Sequence, residues 1–234
     1  MTPRTADQRF HGRIAGVGTT SGTRVVVGMW NSSPLGRFVD VMIETTDGHR
    51  VLLAPSDEVA DYVSSTYTFD EVRVQPVGWH GVGRTLRVVA GPHGAGGASG
   101  PAGPRGPSGP VGPVGPSDQG PVLDLSLTIG RVSALGVLLR LVPATLATRP
   151  GWLTLIDPVA RVLVRGARTA GTAGGGRREY YGVTLARHVS GLTGRFDGVD
   201  LGSLAPLDPP VRFGFGSAPA DPSLVDVTTT IREV

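Results

Sequence analysis

Residues 122–130 read VLDLSLTIG. Leu123, Leu125, Leu127 and Ile129 fall on one side of an extended chain, and Asp124, Ser126 and Thr128 on the other. A period of two marks a strand with one dry and one wetter face. The same alternation recurs in 38–44, where Val39, Val41 and Ile43 interleave with Asp40, Met42 and Glu44. It recurs again in VDVTTTIRE, where Val225, Val227, Thr229 and Ile231 interleave with Asp226, Thr228, Thr230 and Arg232. Such patterning favours antiparallel sheet with one wetter face.

Further strand-like runs are FHGRIAGVG, TRVVVGMW, DEVRVQPV, RTLRVVA, WLTLID, ARVLVRG and VRFGF. Asp47-Gly48 separates two of the runs, so 38–53 is expected to be a β-hairpin with a type I′ turn. Helix signals are fewer. Ser56, followed by Asp57 and Glu58, suits a helix start, and Val59, Tyr62 and Val63 form a short apolar stripe; a helix is expected over about 57–65. LGVLLRLV fits a buried strand or a short helix equally well. The expected fold is mainly β, with antiparallel meanders forming a sandwich or barrel-like body and one to three short helices.

Between Gly91 and Gly115 glycine recurs at every third position, and Pro follows most of these glycines. A collagen triple helix requires this spacing, because only Gly fits at its axis. The tract is short and its first triplets are poor in Pro. As a single polyproline-like chain it would be a semi-rigid spacer reaching up to ~80 Å at ~3.1 Å per residue. The chain is therefore expected to divide into a disordered tail (1–8), a first β-rich half (9–90), a collagen-like linker (91–121) and a second β-rich half (122–234), with a single domain built from both halves left open. VMIETTDGHRVLL before the linker resembles LTLIDPVARVLV after it, which leaves open a duplication of one β lobe.

Composition excludes several chemistries. The chain has no Cys, so it has no thiol nucleophile, disulfide or iron–sulfur ligand. All its basic residues are Arg, which removes Schiff-base and P-loop lysines. The formal net charge is +3, with acids scattered among the arginines, and this is weak support for a nucleic-acid partner. No apolar run is long enough to span a bilayer, so a cytoplasmic protein with no membrane partner is expected. Gly16-Val17-Gly18 is followed by a strand rather than a helix, so it reads as a hairpin turn and not a dinucleotide loop. His11, His49, His80, His93 and His188 lack metal-ligand spacing, and no Ser sits in a nucleophile elbow. No catalytic residue, metal or cofactor is assigned.

One stretch suggests a ligand. In GGGRREYYG and the strand expected after it, Arg177 and Arg178 follow a glycine run, Tyr180 and Tyr181 add aromatic surface, and His188 follows on the same strand run. Arg forks bind anions bidentately, and Gly lets a backbone approach them. The competing reading is a mobile hairpin loop with one Tyr in the core. Trp79 and His80 could line a pocket shared with the second half, or simply cover the sheet end. Three functions remain open: a binding protein for a small anionic or apolar ligand, an enzyme using Arg, Tyr, His or carboxylates, and a trimeric collagen-like structural protein. The residues leave the oligomeric state open.

GRIAGVGTTSGTRVVVGMW, DVMIETTDGHRVLLAP, GGGRREYYG and DPPVRFGFGS resemble an uncharacterised family of high-GC actinobacteria with no assigned activity. The resemblance covers both β segments and not the insert. It implies a bacterial intracellular protein and transfers no site residue.

Overall fold

The computed structural model describes residues 7–92, 120–163, 169–173, 176–214 and 219–233. The collagen-like tract from 93 to 119 and tail residues 1–6 lie outside them. Asp7 and Gln8 are in place: Asp7 pairs with Arg232 at 2.7 Å and Gln8 opens the first strand.

The described strands form one mostly antiparallel sheet. In chain order they are β1 (Gln8–Thr19), β2 (Arg24–Ser32), β3 (Phe38–Glu44), β4 (Arg50–Ala54), β5 (Glu71–Val74), β6 (Val77–Val82), β7 (Thr85–Ala90), β8 (Leu123–Val132), β9 (Ala170–Ala173), β10 (Arg177–Phe196), β11 (Val199–Asp200), β12 (Leu204–Ala205) and β13 (Ser223–Glu233). The path through the sheet is β5-β4-β3-β2-β1-β13-β10-β8-β7-β6, with β9 and β11 attached to β10 and β12 to β1. Strands from both sides of the Gly/Pro tract therefore share one sheet. β4 and β5 pair in parallel, and the crossover this demands contains helix α1 (Asp57–Ser64), capped by Ser56 accepting from the Val59 amide as expected.

Alternation explains the two faces. The odd-numbered residues Val17, Val25, Val27, Val41 and Ile43 of β1–β3 are fully buried. They meet Leu86, Val88, Leu123, Leu125 and Leu127 from β7 and β8 in one core. The sheet does not close into a barrel; its wings face each other as the layers of a sandwich-like body. The even-numbered face carries Phe10, Phe38 and Leu52, which pack with Val59, Ala60 and Val63 of α1.

Three other helices, α2 (Ala134–Leu139), α3 (Ala144–Ala147) and α4 (Pro150–Leu163), bring the described helices to four. Residues 150–163, read as two strands from sequence, are helix. Pro150 suits a first helical turn, and Trp152, Leu153 and Ile156 fall at i, i+1 and i+4, a helical rather than alternating pattern. Residues 153–163 of LTLIDPVARVLV are therefore built differently from the hairpin they resemble in sequence. No described helix is long and apolar enough to cross a membrane.

Two smaller expectations also change. The 38–53 hairpin forms, but its turn is not type I′. The Gly48 N–H donates to Thr45 O and the Thr45 N–H to His49 O, with positive φ at Gly48 and not at Asp47. That is a type I turn followed by a left-handed Gly. VRFGF is not a strand where it is described; Arg212 there donates from its backbone N–H (2.7 Å) and Nε (2.8 Å) to Glu44. Glu44 has no exposed surface and also pairs with Arg24 at 3.0 Å, its cross-strand neighbour. Arg24 in turn donates to Pro209 O at 2.9 Å, so this buried cluster ties the 209–213 loop to the sheet.

Candidate functional site: an apolar cavity with one polar corner

The even-numbered face of the sheet is not fully packed. Between it and helices α1–α4 lies a cavity of about 450 Å³. Its floor comes from β1, β2, β10 and β13, including Ile14, Val26, Trp30, Val183, Val225 and Val227. Its cover comes from α2–α4 through Leu135, Leu139, Trp152 and Ile156. Leu138 lines it too and is half exposed, so the cavity meets solvent beside α2.

The cover is seated on an edge of β10. That strand pairs with β9 over 177–180 and with β8 from 187 onward, leaving a gap between them. Ser133 fills one end, donating its N–H (3.0 Å) and Oγ–H (3.2 Å) to Ala186 O. Thr169 fills the other, its carbonyl accepting from the Tyr181 N–H at 2.8 Å. Glycines permit the close approach: a Cβ on Gly136 would lie 2.2 Å from Ala186 O, and one on Gly182 2.8 Å from Ala147 O.

One corner of this apolar space is polar. Glu179, with no exposed surface, sits within 3.0 Å of the Tyr67 hydroxyl through either carboxylate oxygen and within 2.8 Å of the Tyr181 hydroxyl. The two hydroxyls are 2.6 Å apart. Tyr67 follows α1, and Glu179 and Tyr181 share a face of β10 because they are two residues apart. Thr229 lies opposite Tyr181 in the β10–β13 ladder. It lines the cavity, is 4% exposed, and its hydroxyl has no partner among the described residues. Arg177 stands at the rim of this corner, donating to Ser65 Oγ at 2.5 Å and Thr66 Oγ1 at 2.9 Å.

Burial sets the protonation. Desolvation pushes the Glu179 carboxyl up to about 7, against the opposing pull of the Tyr181 and Tyr67 hydroxyls and of Arg177. Burial likewise raises both tyrosines well above the ordinary phenol range. Asp40, on the same face of β3, is also buried; desolvation lifts it to about 7 although Trp30 Nε1 donates to it at 2.9 Å. Charged carboxylates are costly in such surroundings.

The residues singled out from sequence are not brought together. Arg177 reaches the polar corner. Arg178 is exposed, with its guanidinium 5.6 Å from the Tyr180 ring. Tyr180 is core, packed with Leu153 and Ala170 on the opposite face of β10 from Tyr181. His188 is exposed, beside Leu204, Asp221 and Pro222. It lies roughly 35 Å along the strand from Arg177 at ~3.3 Å per residue, too far to share a small ligand. Trp79 packs on the closed core with the Arg13 guanidinium 4.8 Å from its ring, and His80 is exposed on β6; neither lines the cavity. The glycines at 174 and 175 lie outside the described residues. Sequence reasoning missed Glu179, Tyr67, Thr229 and Asp40, and took Tyr181 only as aromatic surface beside Tyr180. Alternation through Glu179-Tyr180-Tyr181 would have paired the first with the third; nothing local announces Tyr67 or Thr229. Among the described residues no group of three or more His, Asp or Glu could hold a metal.

No protein-family model and no curated protein matches the chain. Among solved structures, an acetoacetate decarboxylase from Legionella pneumophila subsp. pneumophila str. Philadelphia 1 is similar over 99% of this chain and 86% of that one, with a TM-score of 0.41 and 7% identity. A likeness at that level carries no argument about this chain.

Proposed function

We propose that the chain is a binding protein for an apolar small molecule bearing one polar group. The observation that carries this reading is the cavity of about 450 Å³, lined mainly by aliphatic and aromatic side chains, with the Glu179–Tyr67–Tyr181–Thr229 corner and the smaller Thr66, Thr169 and Ser223 as its polar members. Cavities of this size with few convergent polar groups suit small-molecule ligands. The corner favours a neutral polar group over an anion. Glu179 occupies it, and the nearest guanidinium, Arg177, is already directed to Ser65 and Thr66. The apolar walls supply affinity, and the corner supplies orientation.

Fluorescence titration with N-phenylnaphthylamine, a neutral apolar probe, tests this. The wild-type protein should bind it saturably. Val225→Phe, which fills part of the floor, should bind it several-fold more weakly while keeping its melting temperature. Absence of saturable binding, or equal binding by both proteins, overturns the reading.

A further inference from the structure

The hydroxyl oxygens of Tyr67 and Tyr181 and Oε2 of Glu179 form a triangle in which every side is a hydrogen-bond contact. Three contacts need three protons, and two tyrosines supply two. With Glu179 ionised, both hydroxyls turn to the carboxylate and the 2.6 Å contact between them holds no proton. With Glu179 protonated, each group donates to the next and all three contacts are made. The geometry thus has a place for one further proton, at a buried corner of the cavity.

We infer that this corner transfers protons to and from carbon beside the carbonyl of an apolar ketone, using Glu179 as the base and Tyr67 and Tyr181 as donors to the oxygen. The inference rests on the apolar-ligand reading and goes one step past it. Thr229 is the independent pointer to a ligand. It lines the cavity opposite Tyr181, and its buried hydroxyl has no partner among the described residues, so a small rotation would let it donate to a carbonyl oxygen.

The step balances within the site. The Glu179 carboxylate takes a proton from the carbon next to the carbonyl. The C–H pair becomes the new carbon–carbon double bond, and the carbonyl π pair moves onto oxygen. The proton arriving on Glu179 then donates within the triangle, which frees a tyrosine O–H to turn to the oxygen that has just become negative. Return of a proton from Glu179 to the same carbon gives exchange, and to a more distant carbon of a conjugated enolate gives a shifted double bond. No oxidant, reductant or second substrate enters.

Benzylacetone in heavy water, followed by proton NMR, provides the test. Wild-type protein should exchange the hydrogens beside the carbonyl at least about a hundredfold faster than buffer alone, within the range of general acid–base catalysis. The rate should rise with pH through about 7 as Glu179 ionises. Glu179→Gln, near-isosteric but no base, should lose the acceleration, and Tyr181→Phe should lower the rate at saturating ketone. Thr229→Val should chiefly weaken ketone binding. Displacement of N-phenylnaphthylamine by benzylacetone reports binding separately in every variant. Ketone that displaces the probe yet exchanges no faster than in buffer overturns the proton-transfer inference and leaves the binding reading standing. Probe that binds but is not displaced overturns the ketone class. Glu179→Gln exchanging like wild type overturns the role of Glu179.

Discussion

Stability should fall, not rise, between mildly acidic and neutral pH, and two buried carboxyls should cause it. In an unfolded chain Asp40 and Glu179 ionise near their ordinary values of 3.8 and 4.5; in the folded protein both hold their protons to about 7. Between about pH 4 and 7 the folded state therefore binds more protons than the unfolded state, and stability decreases as pH rises. The contribution is fully present below the unfolded values and lost through the folded ones. Each pH unit of that window is worth about 1.4 kcal/mol per group, so each group accounts for on the order of 3 kcal/mol. Asp47, Asp70, Glu71 and Asp124 have lowered pKa values through hydrogen bonds to Thr45, Arg50, Arg73 and Arg87 respectively, and act in the opposite direction. They sit at the surface, where solvent screens such pairs to little net effect. Urea melts at pH 5 and pH 8 on wild type, Asp40→Asn and Glu179→Gln measure the effect. Wild type should be less stable at pH 8 than at pH 5. Each neutral variant should lose part of that difference, and Glu179→Gln should be more stable than wild type at pH 8, because its amide reproduces the protonated carboxyl's donor. Wild-type stability that rises over this window, or variants with an unchanged slope, would refute the reasoning.

Other outcomes follow from the architecture. Ala90 and Leu123, which bracket the Gly/Pro tract, are cross-strand partners, so deleting 93–119 should leave the fold intact. Shortening the loop from about 30 to about 5 residues should add up to about 1.6 kcal/mol of stability, read by urea melts; loss of cooperative unfolding would contradict this. Arg24→Met leaves Glu44 buried with Arg212 as its remaining cation and should cost about 3 kcal/mol, measured by the same melts. Gly182→Ala places a methyl 2.8 Å from Ala147 O and 2.9 Å from Thr148 Cα. It should unseat the helical cover, seen as faster proteolysis within 134–163 while far-UV circular dichroism of the sheet persists.

The strands were legible where one face is dry throughout. Leu123, Leu125 and Leu127 are all fully buried, and Val225, Val227, Thr229 and Ile231 all line the cavity. The helix at Ser56 was legible from its cap. Strand β10 was legible as a strand but not in its faces, because its alternation is broken: the register with β13 shifts between Val183 and Leu185, and that with β8 shifts twice between Arg187 and Gly191. The shifts at Val183/Leu185 and Val189/Gly191 each add a residue to β10 and disturb which parity faces inward, whereas the one at Arg187/Val189 places the extra residue on β8. Residues 150–163 were misread because aliphatic residues in a short run satisfy strand and helix alike, and the decision fell to the cavity they cover. The polar corner needed Tyr67, Glu179 and Thr229 from three distant segments, a conjunction no local pattern encodes. Arg178, Tyr180 and His188 were chosen by proximity in the chain, and the pleat and length of β10 separate them.

The stitches at Ser133 and Thr169 give the enclosed space a latch. Thr169 is tied to α4 through Asp157 and Leu153 and holds the backbone amide of Tyr181, a member of the polar corner, so lifting α4 to admit a guest would be expected to loosen that amide. Deuterium uptake at Tyr181 would then time how often the door stands ajar, and an occupant that holds it shut would slow that clock.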